Sequence, residues 1–88
     1  MVDGVAIGLE GERIAIEVKS PRDDIVRGIG QCYEALTAGY SRAVLVTTLR
    51  VARKLRKRVF RRRDIKLVGV DAKAPIHRYD PEGWRLLN

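Results

Sequence analysis

Apolar and polar positions alternate over "VDGVAIG" (residues 2–8) and again over "IAIEVK" (14–19), with "LEGER" between them. That period of two predicts a β-hairpin, in which Gly11 is available for a positive φ. In "SPRD" Ser20 can cap a helix, Pro21 suits the first helical position and Asp23 can close a capping box. Ile25, Ile29, Cys32, Tyr33 and Leu36 then recur at helical spacing, and Gly39 is placed to end a helix of about 21 to 38. "RAVLVTT" (42–48) and "IKLVGV" (65–70) are short continuous apolar runs of the kind found in strands buried on both faces. Between them "RVARKLRKRVFRRR" (50–63) reads as a helix with Val51, Ala52, Leu55 and Val59 on one stripe. Strand, helix and strand at these lengths predict a right-handed crossover between parallel strands. The final "IHRYDPEGWRLLN" has a turn at residues 80–83 between two short extended pieces, a peripheral hairpin. The predicted class is α/β, a small mixed sheet flanked by helices in the order β-β-α-β-α-β.

Two charges interrupt the second strand. Glu17 and Lys19 are two residues apart and so share a face with Ala15, whereas Ile14, Ile16 and Val18 point the other way. Hairpin register decides whether Asp3 joins them. A two-residue loop at Glu10 and Gly11 sets Asp3 opposite Val18; a three-residue loop with Gly11 left-handed and a bulge sets it opposite Glu17. Gly11 favours the second. Asp3 and Glu17 then repel unless one is protonated or a cation lies between them. Hard oxygen donors with open positions for water suit Mg²⁺ or Mn²⁺, and such a centre, with Lys19 to orient water or offset phosphate charge, is chemistry for phosphodiester hydrolysis.

Charge changes the picture further. The chain has 88 residues and a net charge of +7, distributed unevenly: residues 1–40 hold seven acids and four bases, but 42–66 hold eleven bases and one acid, Asp64. Nine of the fourteen residues from 50 to 63 are Arg or Lys. A polyanion is the expected partner, bound through its phosphates and without sequence reading, because no groove-reading motif is present. No apolar run approaches the ~18 residues of a membrane helix, and no signal-peptide pattern is visible. A single Cys, Cys32, excludes an internal disulfide and fits a reducing, cytoplasmic setting. His77 has no companions at metal-ligand spacing and receives no role. One domain of this size buries only roughly 60–65% of its unfolded surface, so a homodimer is expected to supplement a thin core.

"VDG" followed by "AIEVK" resembles the PD-(D/E)XK restriction-endonuclease-like superfamily, which includes Holliday-junction resolvases, RecB-like nucleases and archaeal repair endonucleases. Asp3 matches the motif Asp, Glu17 the acidic position and Lys19 the motif Lys; the resemblance implies that the Val18 carbonyl joins the Asp3 and Glu17 carboxylates on the metal. "GIGQCYEAL" (28–36) is similar to the family's next helix, which implies an auxiliary site role for Gln31. Tyr33 is a weaker match to the RecB-like pattern. The likeness covers roughly residues 2–48, and Val2 stands where the family has Pro. The family's helix and strand before the motif Asp have no counterpart here, so the expectation is a minimal form whose site a second chain could complete.

These readings combine into one expectation: a single restriction-endonuclease-like domain spanning residues 1–88, acting as a Mg²⁺- or Mn²⁺-dependent deoxyribonuclease. Asp3, Glu17, Lys19 and Gln31 would form the site, and Lys19, Ser20, Arg50, Arg53, Lys54, Lys57 and Arg61 would contact DNA. Two alternatives stand beside it: a catalytically silent DNA-binding module of the same fold, and a basic interaction subunit docking on an acidic protein.

Overall fold

The structure is a computed structural model that describes residues 2–20, 22–56 and 64–71, and the backbone of 84–86. The chain runs β1 (Gly4–Ile7), β2 (Arg13–Val18), α1 (Ile25–Thr37), β3 (Arg42–Thr48), α2 (Leu49–Arg56), β4 (Ile65–Val70) and β5 (Trp84–Leu86). The strands form one mixed sheet in the order β1-β2-β3-β4-β5. β1 is antiparallel to β2, β2, β3 and β4 are parallel, and β5 is antiparallel to β4. The expected C-terminal hairpin is therefore corrected in part. Its second arm extends the main sheet along β4, while its first arm and turn lie outside the described residues.

The hairpin adopts the longer of the two loops. Gly8 N–H donates to Glu12 O at 2.8 Å and Gly11 N–H to Gly8 O at 3.0 Å, leaving residues 9–11 as the loop. Gly11 has φ 84°, a value costly for a residue with a Cβ. The register pairs Gly4 with Ile16, which sets Asp3 opposite Glu17.

α1 starts later than the sequence suggests. Asp24 is its N-cap, with Oδ1 accepting Val26 N–H at 3.1 Å and Arg27 N–H at 3.2 Å. Ser20 and Asp23 do pair, Ser20 N–H donating to Asp23 Oδ2 at 2.7 Å, but they close a separate turn ahead of the helix. Ser20 and Asp24 are both capable caps, and the one that satisfies two helix donors takes the position. Pro21 lies outside the described residues. The helix ends as expected at Gly39, φ 104°: Gly39 N–H donates to Leu36 O and Tyr40 N–H to Ala35 O, the paired bonds of a Schellman stop.

Both helices cover one face of the sheet. Buried Ala15, Ala43, Leu45, Ile65 and Leu67 alternate onto that face and form a core with Cys32 and Ala35 of α1 and Ala52 of α2. Two successive crossovers that advance in the same direction along the sheet, with the same hand, place their helices on the same side. The expectation of strands covered on both faces is corrected accordingly: β4 alternates, with Ile65 and Leu67 buried and Lys66, Val68 and Val70 half-buried. The stripe on α1 also differs from the sequence reading. Gly28, Cys32 and Ala35 are its buried residues, and Tyr33 is 37% exposed. Small side chains let the helix sit close to the sheet, which shifts its contact line away from Tyr33. On α2 Ala52 is buried and Val51 and Leu55 half-buried, as expected; Val59 lies outside the described residues. Thr48 Oγ1 accepts Val51 N–H at 3.4 Å at the start of this helix.

Candidate functional site

β1 stops at Gly4, and the chain bends at Asp3. Its carboxylate turns back onto β2, where Oδ2 accepts the Val18 N–H at 2.8 Å. Beside it Glu17, on an interior strand, is 1% exposed, and its Oε1 has no hydrogen-bond partner. Burial pushes the Glu17 carboxyl above its ordinary value of 4.5, and Asp3 raises it further by repulsion and by a hydrogen bond to the protonated form. Lys19 opposes this, lowering it. The three residues that share a face by sequence thus interact electrostatically in the fold.

Lys19 is anchored by its N–H to Val46 O at 2.8 Å, and its stem runs across Gly28 of α1. A Cβ at Gly28 would lie 2.8 Å from Lys19 Cγ and 3.3 Å from Leu45 Cδ1, so the glycine makes room for this path. Lys19 also acts on Asp23, whose carboxyl is held low first by hydrogen bonds from Ser20 and, less strongly, by the Lys19 charge. Ser20 itself is engaged in the turn, its Oγ accepting Arg22 N–H at 3.3 Å.

Gln31 comes to the same region. With Glu17 it lines a cleft of about 290 Å³ whose other walls are Val2, Glu34, Ala35, Ala38 and Tyr40. Gln31 Oε1 is buried and, like Glu17 Oε1, has no hydrogen-bond partner. Tyr40 is held in place by Arg13, whose guanidinium lies 4.5 Å from the ring centroid and donates through Nη2 to the Tyr40 hydroxyl at 3.0 Å. Val18 enters through its N–H, bonded to Asp3, and the carbonyl that the resemblance implies belongs to the same residue on that edge of β2.

One residue escaped the sequence reading. Thr47 is 3% exposed with Oγ1 unpaired, and by continuation of the Val18 to Val46 register it is the neighbour of Lys19 on the helix-covered face. Its signal was available: a hydroxyl at the third position of the alternation Ala43, Leu45, Thr47. Reading 42–48 as a continuous apolar run passes over it.

On α2 Arg50, Arg53, Lys54 and Arg56 are exposed, and no acid stands in the first turn. Lys57 and Arg61 lie outside the described residues. The donor set around Glu17 consists of hard oxygens, two carboxylates and an unpaired amide oxygen, and so fits Mg²⁺ or Mn²⁺. Among the described residues no group of three or more His, Cys, Asp or Glu gathers, but Mg²⁺ needs only one or two carboxylates with water. Among the same residues no helix is long and apolar enough to cross a membrane. No family model, curated protein or solved structure matches this chain.

Proposed function

We propose that this chain is a restriction-endonuclease-like domain that binds DNA through its phosphates and hydrolyses phosphodiester bonds with Mg²⁺ or Mn²⁺. One observation carries the reading: Glu17 is 1% exposed with an unpaired oxygen, between Asp3 and Lys19. A buried carboxylate beside a second one is costly to ionise, and such groups concentrate where a cation or a reaction needs them.

Asp3 and Glu17 would hold the ion, with Gln31 Oε1 as a further oxygen donor. When bound, it would supply an acidified water and compensation for the charge developing on phosphate. The chain's own groups do the rest. The Lys19 ammonium orients water and offsets phosphate charge, while packing against Gly28 keeps its stem on one path. Exposed Arg50, Arg53 and Lys54 neutralise the nucleic-acid backbone, joined by Lys57 and Arg61 further along the sequence. We also propose a cytoplasmic homodimer. Val5 and Ile7 on edge strand β1 and Leu9 at the hairpin tip are 46%, 66% and 106% exposed, apolar surface that a second copy would cover.

The test is incubation of the protein with branched, single-stranded and duplex DNA in Mn²⁺ or in EDTA. Nicking in Mn²⁺ alone is expected. Binding without cleavage would favour the silent module of the same fold, a reading to which the exposed bases of α2 contribute equally.

A further inference from the structure

The cleft beside α1 opens on the same two oxygens that the reading above gives to a metal ion, and its other walls suit a second kind of cation. Glu17 Oε1 and Gln31 Oε1, its two buried and unpaired polar atoms, are both acceptors. Glu34 adds a third acidic or amide oxygen source to the lining. Unpaired buried acceptors are costly, and a ligand rich in N–H donors removes that cost. The remaining walls, Val2, Ala35 and Ala38, are apolar, and the Tyr40 ring is fixed by Arg13. At about 290 Å³ the cleft lies at the small end of ligand sites.

We propose that this cleft binds a small organic cation, a guanidinium or primary ammonium on a short alkyl stem. Its N–H groups donate to Glu17 Oε1 and Gln31 Oε1, Glu34 balances its charge, and its stem lies against Ala35 and Ala38. An anion is disfavoured by two carboxylates, and a neutral apolar ligand would leave both oxygens unpaired. The cation is either a free amine or the side chain of an Arg or Lys on a partner protein.

Calorimetric titration separates these cases, using agmatine in one arm and a tripeptide with a central Arg in the other, in EDTA and without DNA. Saturable one-to-one binding and a raised melting temperature are expected. Tighter binding of agmatine identifies a free amine, and tighter binding of the peptide identifies a protein side chain. Glu17→Gln should weaken binding about tenfold or more, as expected for loss of a charge-assisted hydrogen bond. Ala38→Leu, at an exposed position that should tolerate it, should fill the cleft and block binding. The proposal is overturned if neither probe binds at millimolar concentration, or if Ala38→Leu binds both as tightly as the unmodified chain. Because no DNA or divalent ion is present, the outcome is independent of the nuclease reading: a protein that cleaves nothing can still bind the cation, and an active nuclease can fail to.

Discussion

Asp3 Oδ2 accepts the Val18 N–H at 2.8 Å, so a side-chain carboxylate occupies the place on the β2 edge that the next carbonyl of β1 would otherwise fill. One group thereby ends a strand, holds the hairpin closed and stands beside Glu17. Asp3→Asn keeps an acceptor and should leave stability nearly unchanged. Asp3→Ala should cost about 1 kcal/mol, the net worth of one hydrogen bond. Both should reduce Mn²⁺-dependent cleavage, and urea melts alongside cleavage rates separate the structural role from the chemical one.

Glu17 gives the fold a definite pH dependence. At pH below its ordinary value of 4.5 the group is protonated in folded and unfolded chains alike, and the contribution to stability is fully present. As pH rises through the raised native value the unfolded chain ionises more readily, and that stability is lost. Glu17→Gln should therefore be more stable than the unmodified chain at neutral pH and lack this falling limb. Adding Mn²⁺ should stabilise the unmodified chain alone. Denaturant midpoints across a pH series measure both effects.

For the chemistry itself, Glu17→Ala and Lys19→Ala should each abolish metal-dependent cleavage while most DNA affinity remains. Gly28→Ala tests the path of Lys19 without replacing a proposed site residue, since the new methyl meets Lys19 Cγ. It should lower the cleavage rate more than the affinity. A Gly28→Ala variant with an unaltered rate would remove the packing argument for Lys19.

Much of this arrangement is legible in the sequence, and the failures have physical causes. Alternation located β2, and Gly11 selected the loop that sets Asp3 opposite Glu17, because both are consequences of local backbone geometry. The helix start is ambiguous in the sequence because Ser20 and Asp24 are both good caps, and only the three-dimensional path tells which one meets free helix donors. Helical spacing puts Tyr33 on the apolar stripe, whereas Gly28 and Ala35 are the buried residues because α1 approaches the sheet closely. The cleft beside Gln31 depends on Tyr40 folding back to Arg13, a contact between residues 27 apart in sequence that periodicity does not encode.

The basic helix can be tested even if nothing is cleaved. If Arg53 and Lys54 neutralise phosphates, log K falls with log salt by about 0.9 per contact, and replacing both with Gln should flatten the slope by about two units. The loss should be the same for all duplex sequences, with little change in melting temperature because both side chains are exposed. An unchanged slope assigns α2 to a protein contact instead.

The proposed dimer predicts sedimentation as twice the chain mass at micromolar concentration. Ile7→Lys, at a side chain 66% exposed on the edge strand, should shift that equilibrium to the single chain and leave the fold intact.

The loop around Gly11 also has a bearing on descent. Asp3 meets Glu17 only because residues 9–11 span the hairpin with the count they have; one residue more or fewer would slide β1 along β2 and carry Asp3 off the helix-covered face. A length change at an exposed tip could thus silence the carboxylate pair while every acidic residue is retained. Among descendants of such a chain, the spacing between Asp3 and Glu17 would then report retained chemistry better than the identity of either residue.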